Sequence, residues 1–228
     1  IQSMTNTDTR DAAATLAQIR ELASAGCEIV RVTVPDEAAV AALPEILAGS
    51  PLPVIADIHF DYRLALGSIR AGVHGVRLNP GNIGSAEKVR AVAEAAGEAG
   101  IPIRVGANSG SLPKGMAAAN RAAGMSHDEA IAHALTDAAM EQVKLLEQYS
   151  FRNLKVSLKA SSVPVTVAAY RLFAERSGYP LHLGVTEAGT AFRGAVKSAI
   201  GIGSLLLDGI GDTIRVSLSA PPVEEIRA

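Results

Sequence analysis

Four arginines in this sequence each lie between two aliphatic residues, in short segments with the composition of buried strands. Side chains alternate along a strand, so the aliphatic residues would face one packed layer and the arginines the opposite side. A charge in a poorly solvated interior is costly unless it is paired, so we predict that the four guanidinium groups converge on an anion from outside the chain. The simpler interpretation for any one of them is a surface or ion-paired arginine on an edge strand. The segments are Val30-Arg31-Val32, Val76-Arg77-Leu78, Ile103-Arg104-Val105 and Ile214-Arg215-Val216.

Polar residues continue this pattern where the predicted strands end. Most are two or four positions apart, a spacing that keeps them on one face of a strand. The set comprises Arg31 and Thr33, Asp57 and His59, Arg77 and Asn79, Arg104 and Asn108, Lys155, Ser157 and Lys159, Thr186 and Glu187, and Arg215 and Ser217.

Positive charge exceeds negative charge among the strongest candidates. Arginine forks bind phosphate oxygens in pairs, and asparagine and serine add neutral donors. The excess therefore predicts a ligand of about the size of a diphosphate. The alternative is that Asp57 and Glu187 each neutralise one arginine in a structural role. The five cations are Arg31, Arg77, Arg104, Lys159 and Arg215, and the two anions are Asp57 and Glu187.

Two of these residues could also take part in catalysis. His59 could be a general acid or a phosphate donor, because the ordinary pKa of histidine is about 6.5. Lys159 could form a Schiff base, because a desolvated lysine at the end of a barrel strand is nucleophilic, or it could simply bind phosphate. No His and Cys cluster suggests a metal site and no Walker sequence is present. No role is assigned to His74, His127, His133 and His182.

The repeating unit of the chain is a helix, a glycine and a strand. Alanine-rich or leucine-rich helical stretches are followed by glycines, as expected just after a helix end. Ser85 and Ser126 are expected to cap helices, Ser126 in a capping box with Glu129. The glycines are Gly26, Gly72, Gly100, Gly178 and Gly209. Strands are predicted at Gln2 to Met4, Glu28 to Val34, Val54 to His59, Gly75 to Asn79, Ile103 to Asn108, Leu154 to Lys159, Leu181 to Glu187 and Thr213 to Leu218. Helices are predicted at Asp11 to Ala25, Asp36 to Ala48, Tyr62 to Ala71, Ala86 to Ala99, His127 to Gln148, Pro164 to Arg176 and Gly194 to Leu207.

Eight strands alternating with helices predict an α/β fold, a (β/α)8 TIM barrel in one domain spanning 1–228. An open doubly wound sheet is the alternative, but no GxGxxG turn opens the first unit. The segment from Pro222 to Arg227 has the proline and acidic residues of a first helical turn, so we expect the eighth helix to be truncated and more protein to follow. We also expect the long connection at 109–125 to act as a lid.

Composition excludes several classes of function. A net charge of −2 and only four Phe, four Tyr and no Trp argue against nucleic-acid binding. The longest apolar run is too short to span a bilayer, and we expect no membrane association. The single cysteine, Cys27, excludes a disulfide framework and favours a cytoplasmic location.

Five long motifs resemble those of the 4-hydroxy-3-methylbut-2-enyl diphosphate synthase family of the methylerythritol phosphate isoprenoid pathway. The resemblance covers essentially the whole chain. It implies reductive ring opening and dehydroxylation of 2-C-methyl-D-erythritol 2,4-cyclodiphosphate, with two electrons from ferredoxin or flavodoxin through a 4Fe-4S cluster. The motifs are IQSMTNTDT from Ile1 to Thr9, ADIHFDYR from Ala56 to Arg63, RLNPGNIG from Arg77 to Gly84, VSLKAS from Val156 to Ser161, and GIGDTIRVSL from Gly209 to Leu218.

The resemblance also implies roles for individual residues. Asp57, Asn79 and Glu187 match other residues of the pocket and are the catalytic candidates, and Glu187 is our candidate for protonation of the leaving hydroxyl. The positions that match substrate-binding residues are Arg31, His59, Arg77, Arg104, Asn108, Lys159, Arg215 and Ser217.

The sequence departs from the family most in its cysteine content, and the segment from Leu112 to Met125 also differs from family members. The family's cluster is held by three cysteines and a glutamate of a separate C-terminal domain, which caps the barrel of the other subunit in a homodimer. This chain has only Cys27, so no cluster can assemble on it and the barrel alone is expected to be inactive. Two alternatives remain open: a metal-independent phosphate-binding barrel lyase or transferase using Lys159 or Glu187, and a binding module without turnover.

Overall fold

The computed structural model describes residues 1–112 and 115–228, and eight parallel strands within them form the barrel wall. Strands β1 to β6 make one parallel sheet in chain order, and β7 pairs with β8. A parallel bridge between Val156 and Leu181 connects β6 to the segment just before β7. The strands are β1 Gln2–Met4, β2 Ile29–Thr33, β3 Val54–Asp57, β4 Gly75–Arg77, β5 Ile103–Asn108, β6 Leu154–Lys159, β7 His182–Leu183 and β8 Thr213–Ile214.

Helices alternate with these strands, which confirms the α/β barrel class. None of the helices in the described part of the chain is long and apolar enough to cross a membrane. The helices are α1 Ala12–Ser24, α2 Glu37–Gly49, α3 Tyr62–Ala71, α4 Pro80–Ile83, α5 Ala86–Glu98, α6 Met116–Ala122, α7 His127–Glu147, α8 Val163–Arg176, α9 Ala191–Leu207 and α10 Pro222–Arg227.

Strand register confirms that the arginines and the aliphatic residues point to opposite sides of the sheet. Arg31 is opposite Ile55, Asp57 is opposite Arg77, and Arg77 is opposite Arg104, so these side chains share one face. The alternate aliphatic residues are fully or almost fully buried in the core between the sheet and the helices. They include Val30, Val32, Val54, Ala56, Val76, Ile103, Val105, Val156 and Leu158.

Side chains join the last strand to the first. In the described residues no backbone ladder links β8 to β1. Instead, the buried carboxylate of Glu225 on α10 accepts a hydrogen bond from Ser3 Oγ on β1 at 3.1 Å and pairs with Arg215, the residue after β8. Helix α10 packs directly against β1. The end of the chain therefore completes the barrel wall at this seam.

Most of the predicted helix boundaries are correct within two residues, and the reasons are local. Ser126 and Glu129 form the predicted capping box. Gly72 has a φ of 94° at the end of α3, the left-handed conformation that glycine adopts without strain. Ser85 occupies the position before α5, but its side chain makes no capping hydrogen bond. Gly178 also follows a helix end, as predicted, but it does not take the left-handed conformation expected there, and the chain leaves α8 through extended backbone at Ser177.

Four strands end two or more residues before their predicted C-terminal ends. β3 stops at Asp57, β4 at Arg77, β7 at Leu183 and β8 at Ile214. The polar residues that follow leave the ladder: Asn79, for example, caps α4 by accepting a hydrogen bond from Gly81 N at 3.0 Å. The functional candidates after these strands therefore lie on loops at the mouth of the barrel.

The connection after β5 is not the long irregular loop that the sequence predicts. It contains a short 3-10 turn at Ser109–Ser111 and the helix α6, which packs against α7. Pro113 and Lys114 lie outside the described residues. A closing motion of this segment remains a prediction.

A candidate anion site inside the barrel

Asp57 pairs with two of the predicted arginines. Its Oδ2 lies 3.2 Å from Arg31 Nε, and its Oδ1 accepts a hydrogen bond from Arg77 Nη1 at 3.1 Å. The contact with Arg31 is an ion pair without hydrogen-bond geometry at Nε. His59 Nε2 lies 3.7 Å from Oδ1. Three cationic or polar side chains thus surround one carboxylate that is only 2% exposed.

The pKa values of Asp57 and Arg31 are both shifted by burial and by neighbouring charges. Burial alone would raise the pKa of Asp57, but the charge of Arg31, the adjacent His59 ring and the charge of Arg77 lower it below its ordinary value. The pKa of Arg31 is lowered to about 10, mainly by burial and also by the charges of Arg215 and Arg77, against the favourable charge of Asp57. Both groups remain charged at neutral pH.

A second carboxylate, on Glu225, holds Arg215. Arg215 Nη2 donates to Oε1 at 3.0 Å and Arg215 Nε donates to Oε2 at 3.1 Å, which is a bidentate pair. Glu225 is 5% exposed. The Met4 sulfur lies between the two arginine groups, 3.0 Å from Arg31 Nη2 and 3.8 Å from Arg215 Nη1.

Lys159, at the end of β6, has no carboxylate partner of its own within the described residues. Burial lowers its pKa well below the ordinary value, and the charges of Arg215, Arg31 and Arg77 lower it further. Gly184 gives the amine room, because a Cβ at that position would lie 2.9 Å from Lys159 Nζ and 2.8 Å from the carbonyl oxygen of Arg215. The lysine therefore faces the same interior as the three arginines.

Arg104 is buried on the interior face of β5, opposite Arg77 in the strand register. With Gln2 and Lys155 it lines a cavity of about 20 Å³ that Gly75 and Pro102 also line. Within the described residues its Nε and Nη1 atoms have no hydrogen-bond partner. The structure places Arg104 on the interior face, as predicted, but among the described contacts it forms no ion pair with Asp57.

The remaining candidates lie at the mouth of the barrel. Glu187 and Asn108 line an open cleft of about 520 Å³ together with Ser161 and Thr186. Glu187 is exposed and has a φ of 50°, a left-handed conformation that is strained for a residue with a Cβ. Ser217 follows Arg215 on the loop after β8. Glu187 therefore faces solvent at the rim and, within the described contacts, neutralises no arginine.

Sequence patterns missed two buried residues of this interior. Glu225 was taken as an acidic residue of a helical first turn, and nothing in the sequence connects it to Arg215 ten positions earlier. His182 was assigned no role, yet it is fully buried, with Nδ1 2.9 Å from Thr213 Oγ1 and Nε2 without a partner. Burial and the charges of Lys159, Arg31, Lys155 and Arg215 lower its pKa well below the ordinary value.

The residues of this chain do not fit an iron-sulfur cluster. Clusters are held by several thiolates, and the chain has one cysteine. Cys27 is buried, its thiol donates to the carbonyl oxygen of Ile29 at 3.1 Å, and burial raises its pKa. Across residues 1–112 and 115–228, no group of three or more His, Cys, Asp or Glu side chains could hold a metal ion. A cluster would need ligands from elsewhere.

The side chains of this site can bind and orient a polyanion at the C-terminal ends of the strands. Three arginines, Arg31, Arg77 and Arg215, meet two carboxylates, Asp57 and Glu225, in a largely buried space. This leaves an excess of one positive charge, and of two when Lys159 is protonated. Such an excess is unfavourable without a counter-ion. The fold and the site define a class: a (β/α)8 barrel with a positively charged interior that opens at the C-terminal ends of its strands.

Comparison with known families identifies the barrel more closely. The chain belongs to the GcpE TIM-barrel domain family, whose model matches residues 1–228. This confirms the family that the sequence motifs indicated.

Two curated relatives are similar over nearly the whole chain. The 4-hydroxy-3-methylbut-2-en-1-yl diphosphate synthase (flavodoxin) of Geobacter sulfurreducens is 56% identical over 227 residues, which is 100% of this chain and 62% of that protein. The protein of the same name from Maridesulfovibrio salexigens is 55% identical over 226 residues, 99% of this chain and 61% of its own length. The chain therefore spans about three fifths of the length of these relatives.

Solved structures support the barrel fold at low sequence identity. A 3-dehydroquinate dehydratase from Geobacillus kaustophilus has a TM-score of 0.64 and 16% identity, and the match covers 99% of this chain and 87% of that one. At this identity the likeness concerns the fold alone.

We predict that Asp57→Asn destabilises the fold by about 3 to 5 kcal/mol at neutral pH, because Arg31 and Arg77 lose their buried counter-charge. The pKa of Asp57 is lowered in the folded state, so its contribution is present above about pH 4 and is lost as the pH falls below that. Urea unfolding at pH 7 and at pH 3 measures both effects.

The control is Asp208→Asn, which removes an exposed pair with Arg171 and should cost less than about 1 kcal/mol. Equal losses for the two variants would show that the Asp57 pairs do not support the fold.

Proposed function

We propose that this chain is the substrate-binding barrel of a reductase that converts 2-C-methyl-D-erythritol 2,4-cyclodiphosphate to 4-hydroxy-3-methylbut-2-enyl diphosphate. The single observation that carries the proposal is the excess of buried positive charge from Arg31, Arg77, Lys159 and Arg215. A cyclic diphosphate carries two negative charges, and these would balance the excess. The names of the relatives support the same product.

In this proposal the interior cations bind the diphosphate and the rim residues act on the rest of the substrate. Arg77 and Arg31, oriented by Asp57, bind phosphate oxygens bidentately, and Lys159 and Arg215 add further donors. Arg104 would bind the ligand with its unpaired Nε and Nη1 groups. The side chains of His59, Asn79, Asn108 and Ser217 would also donate hydrogen bonds.

Glu187 is the proposed acid. Opening of the ring and loss of a hydroxyl as water consume two electrons and two protons. A carboxylic acid at the rim of the pocket can deliver a proton to the leaving hydroxyl. The strained backbone at Glu187 supports this role, because non-glycine residues with positive φ are concentrated at functional sites.

The electrons must come from outside the 228 residues, since these residues do not fit a cluster. We propose a 4Fe-4S cluster held by another part of the full-length protein, with flavodoxin or ferredoxin as the donor; the names of the relatives support flavodoxin. We also propose a cytoplasmic homodimer, as the family resemblance implies. Phe192, Val196 and Ile200 form an exposed apolar face on α9 that a second subunit could cover.

A second candidate function is supported by Lys159 alone. Its lowered pKa makes the amine more often neutral and therefore nucleophilic, as a Schiff-base lyase requires. Such an enzyme would need no metal. Family membership supports the reductase over this alternative.

The test of the main proposal is calorimetric titration of the chain with the cyclodiphosphate. We expect micromolar binding that weakens between about 50 and 300 mM salt. Arg77→Ala should weaken binding by about 2 to 5 kcal/mol, because a buried charged partner is removed. Arg90→Ala, which alters an exposed pair with Glu94, serves as the control and should bind normally. An unchanged dissociation constant for Arg77→Ala would rule out the assigned site.

We further predict that binding takes up protons at pH values below the ordinary pKa of lysine. The pKa of Lys159 is lowered in the free barrel, and an adjacent diphosphate favours the charged amine and raises that pKa. Affinity should therefore decrease as the pH rises through this range. Calorimetry in two buffers with different ionisation enthalpies gives the number of protons, and Lys159→Met should abolish the uptake. Uptake that persists in this variant would assign the proton to another group, such as His182.

The lyase alternative predicts covalent trapping. A phosphorylated aldehyde and borohydride should then add a reduced adduct to Lys159, visible by mass spectrometry, and Lys159→Met should remain unmodified. A chain that binds the cyclodiphosphate but is not trapped would exclude the alternative.

A further inference from the structure

Glu225 connects three separate parts of the barrel seam. Its Oε1 accepts hydrogen bonds from Arg215 Nη2 at 3.0 Å and from Leu218 N at 3.2 Å. Its Oε2 accepts from Arg215 Nε and from Ser3 Oγ, both at 3.1 Å. The carboxylate is therefore fully hydrogen-bonded, and it ties α10 to β1 and to the loop after β8.

The pair fixes the orientation of the guanidinium. Arginine has five N–H donors, and Glu225 takes the one on Nε and one of the two on Nη2. Glu225 leaves the second N–H of Nη2 and both N–H groups of Nη1, and Nη1 makes a long hydrogen bond to the Met4 sulfur at 3.8 Å, on the side of Arg31. The free edge thus faces the other cations of the interior.

The same carboxylate also fixes the backbone that carries Ser217. Its hydrogen bond from Leu218 N holds the residue directly after Ser217, and β8 itself ends at Ile214. No strand ladder holds residues 215–218 on the β1 side within the described chain. Glu225 supplies an anchor that the missing ladder would otherwise provide.

We propose that Glu225 is a positioning residue of the anion site, which presents the free edge of Arg215 and the Ser217 loop to the ligand. This inference rests on the proposed diphosphate binding. A group prepositioned in this way binds more tightly, because less conformational freedom is lost on binding.

The test keeps the charge and changes the geometry. Glu225→Asp retains the carboxylate but withdraws it by one methylene, so the bidentate pair cannot form in the same place. We expect about tenfold weaker binding of the cyclodiphosphate by calorimetry. The control is Glu224→Asp, the neighbouring, partly exposed residue whose carboxylate pairs with Arg227 and with no other cation among the described residues; its affinity should equal that of the wild type.

A double-mutant cycle distinguishes positioning from a general structural effect. If Glu225 acts through Arg215 as well as through the Ser217 loop, the Asp substitution should weaken affinity by a clearly smaller factor when Arg215 is already Ala, because only the effect on the loop remains. Equal weakening in both backgrounds, or no weakening by Glu225→Asp in the wild-type background, would overturn the proposal.

A nuclear magnetic resonance measurement covers the case in which Arg215→Ala does not fold. The Nε–H signal of Arg215, assigned by its loss in Arg215→Lys, should exchange slowly with water in the wild type and rapidly in Glu225→Asp. Slow exchange in both would overturn the proposal. If the wild type binds neither the cyclodiphosphate nor inorganic diphosphate, the proposed function fails, and this signal still decides whether Glu225 holds Arg215.

Discussion

Positive charge buried inside the barrel is the constraint on which the rest of this structure depends. An uncompensated cation in such a place costs several kcal/mol, so each must find a carboxylate, a ligand or a lower pKa. The chain uses all three. Asp57 pairs with Arg31 and Arg77, Glu225 pairs with Arg215, and Lys159 and His182 lower their affinity for protons. The positive charge that remains unpaired is the charge that a bound anion can neutralise.

The two carboxylates neutralise their arginines through different parts of the fold. Asp57 lies on β3, between the strands of its two arginines, so neighbouring strands of one sheet suffice to build the first group. Glu225 comes from the last helix and reaches both β1 and the loop after β8. Because the same carboxylate joins the barrel seam and holds Arg215, loss of the packing of α10 would disturb the anion site as well as the fold.

How much could be predicted from the sequence depended on whether the determinant was local. Strand alternation placed Arg31, Asp57 and Arg77 on one face, because that geometry repeats every two residues and needs no knowledge of the partner. Glu225 and His182 were missed, because their contacts depend on how helices and loops pack around the strands, and alternation along one strand does not reveal that packing.

The excess charge also links stability to binding. A barrel that holds more cations than carboxylates is less stable than it would be with a counter-ion, and a ligand that binds only the folded state recovers that free energy by mass action. The same excess of positive charge favours binding of an anion but cannot supply electrons. Anion binding and electron transfer therefore require different residues. Anion binding uses arginines at the strand ends, and electron transfer through a cluster uses thiolate ligands. A chain with one buried cysteine meets only the first requirement.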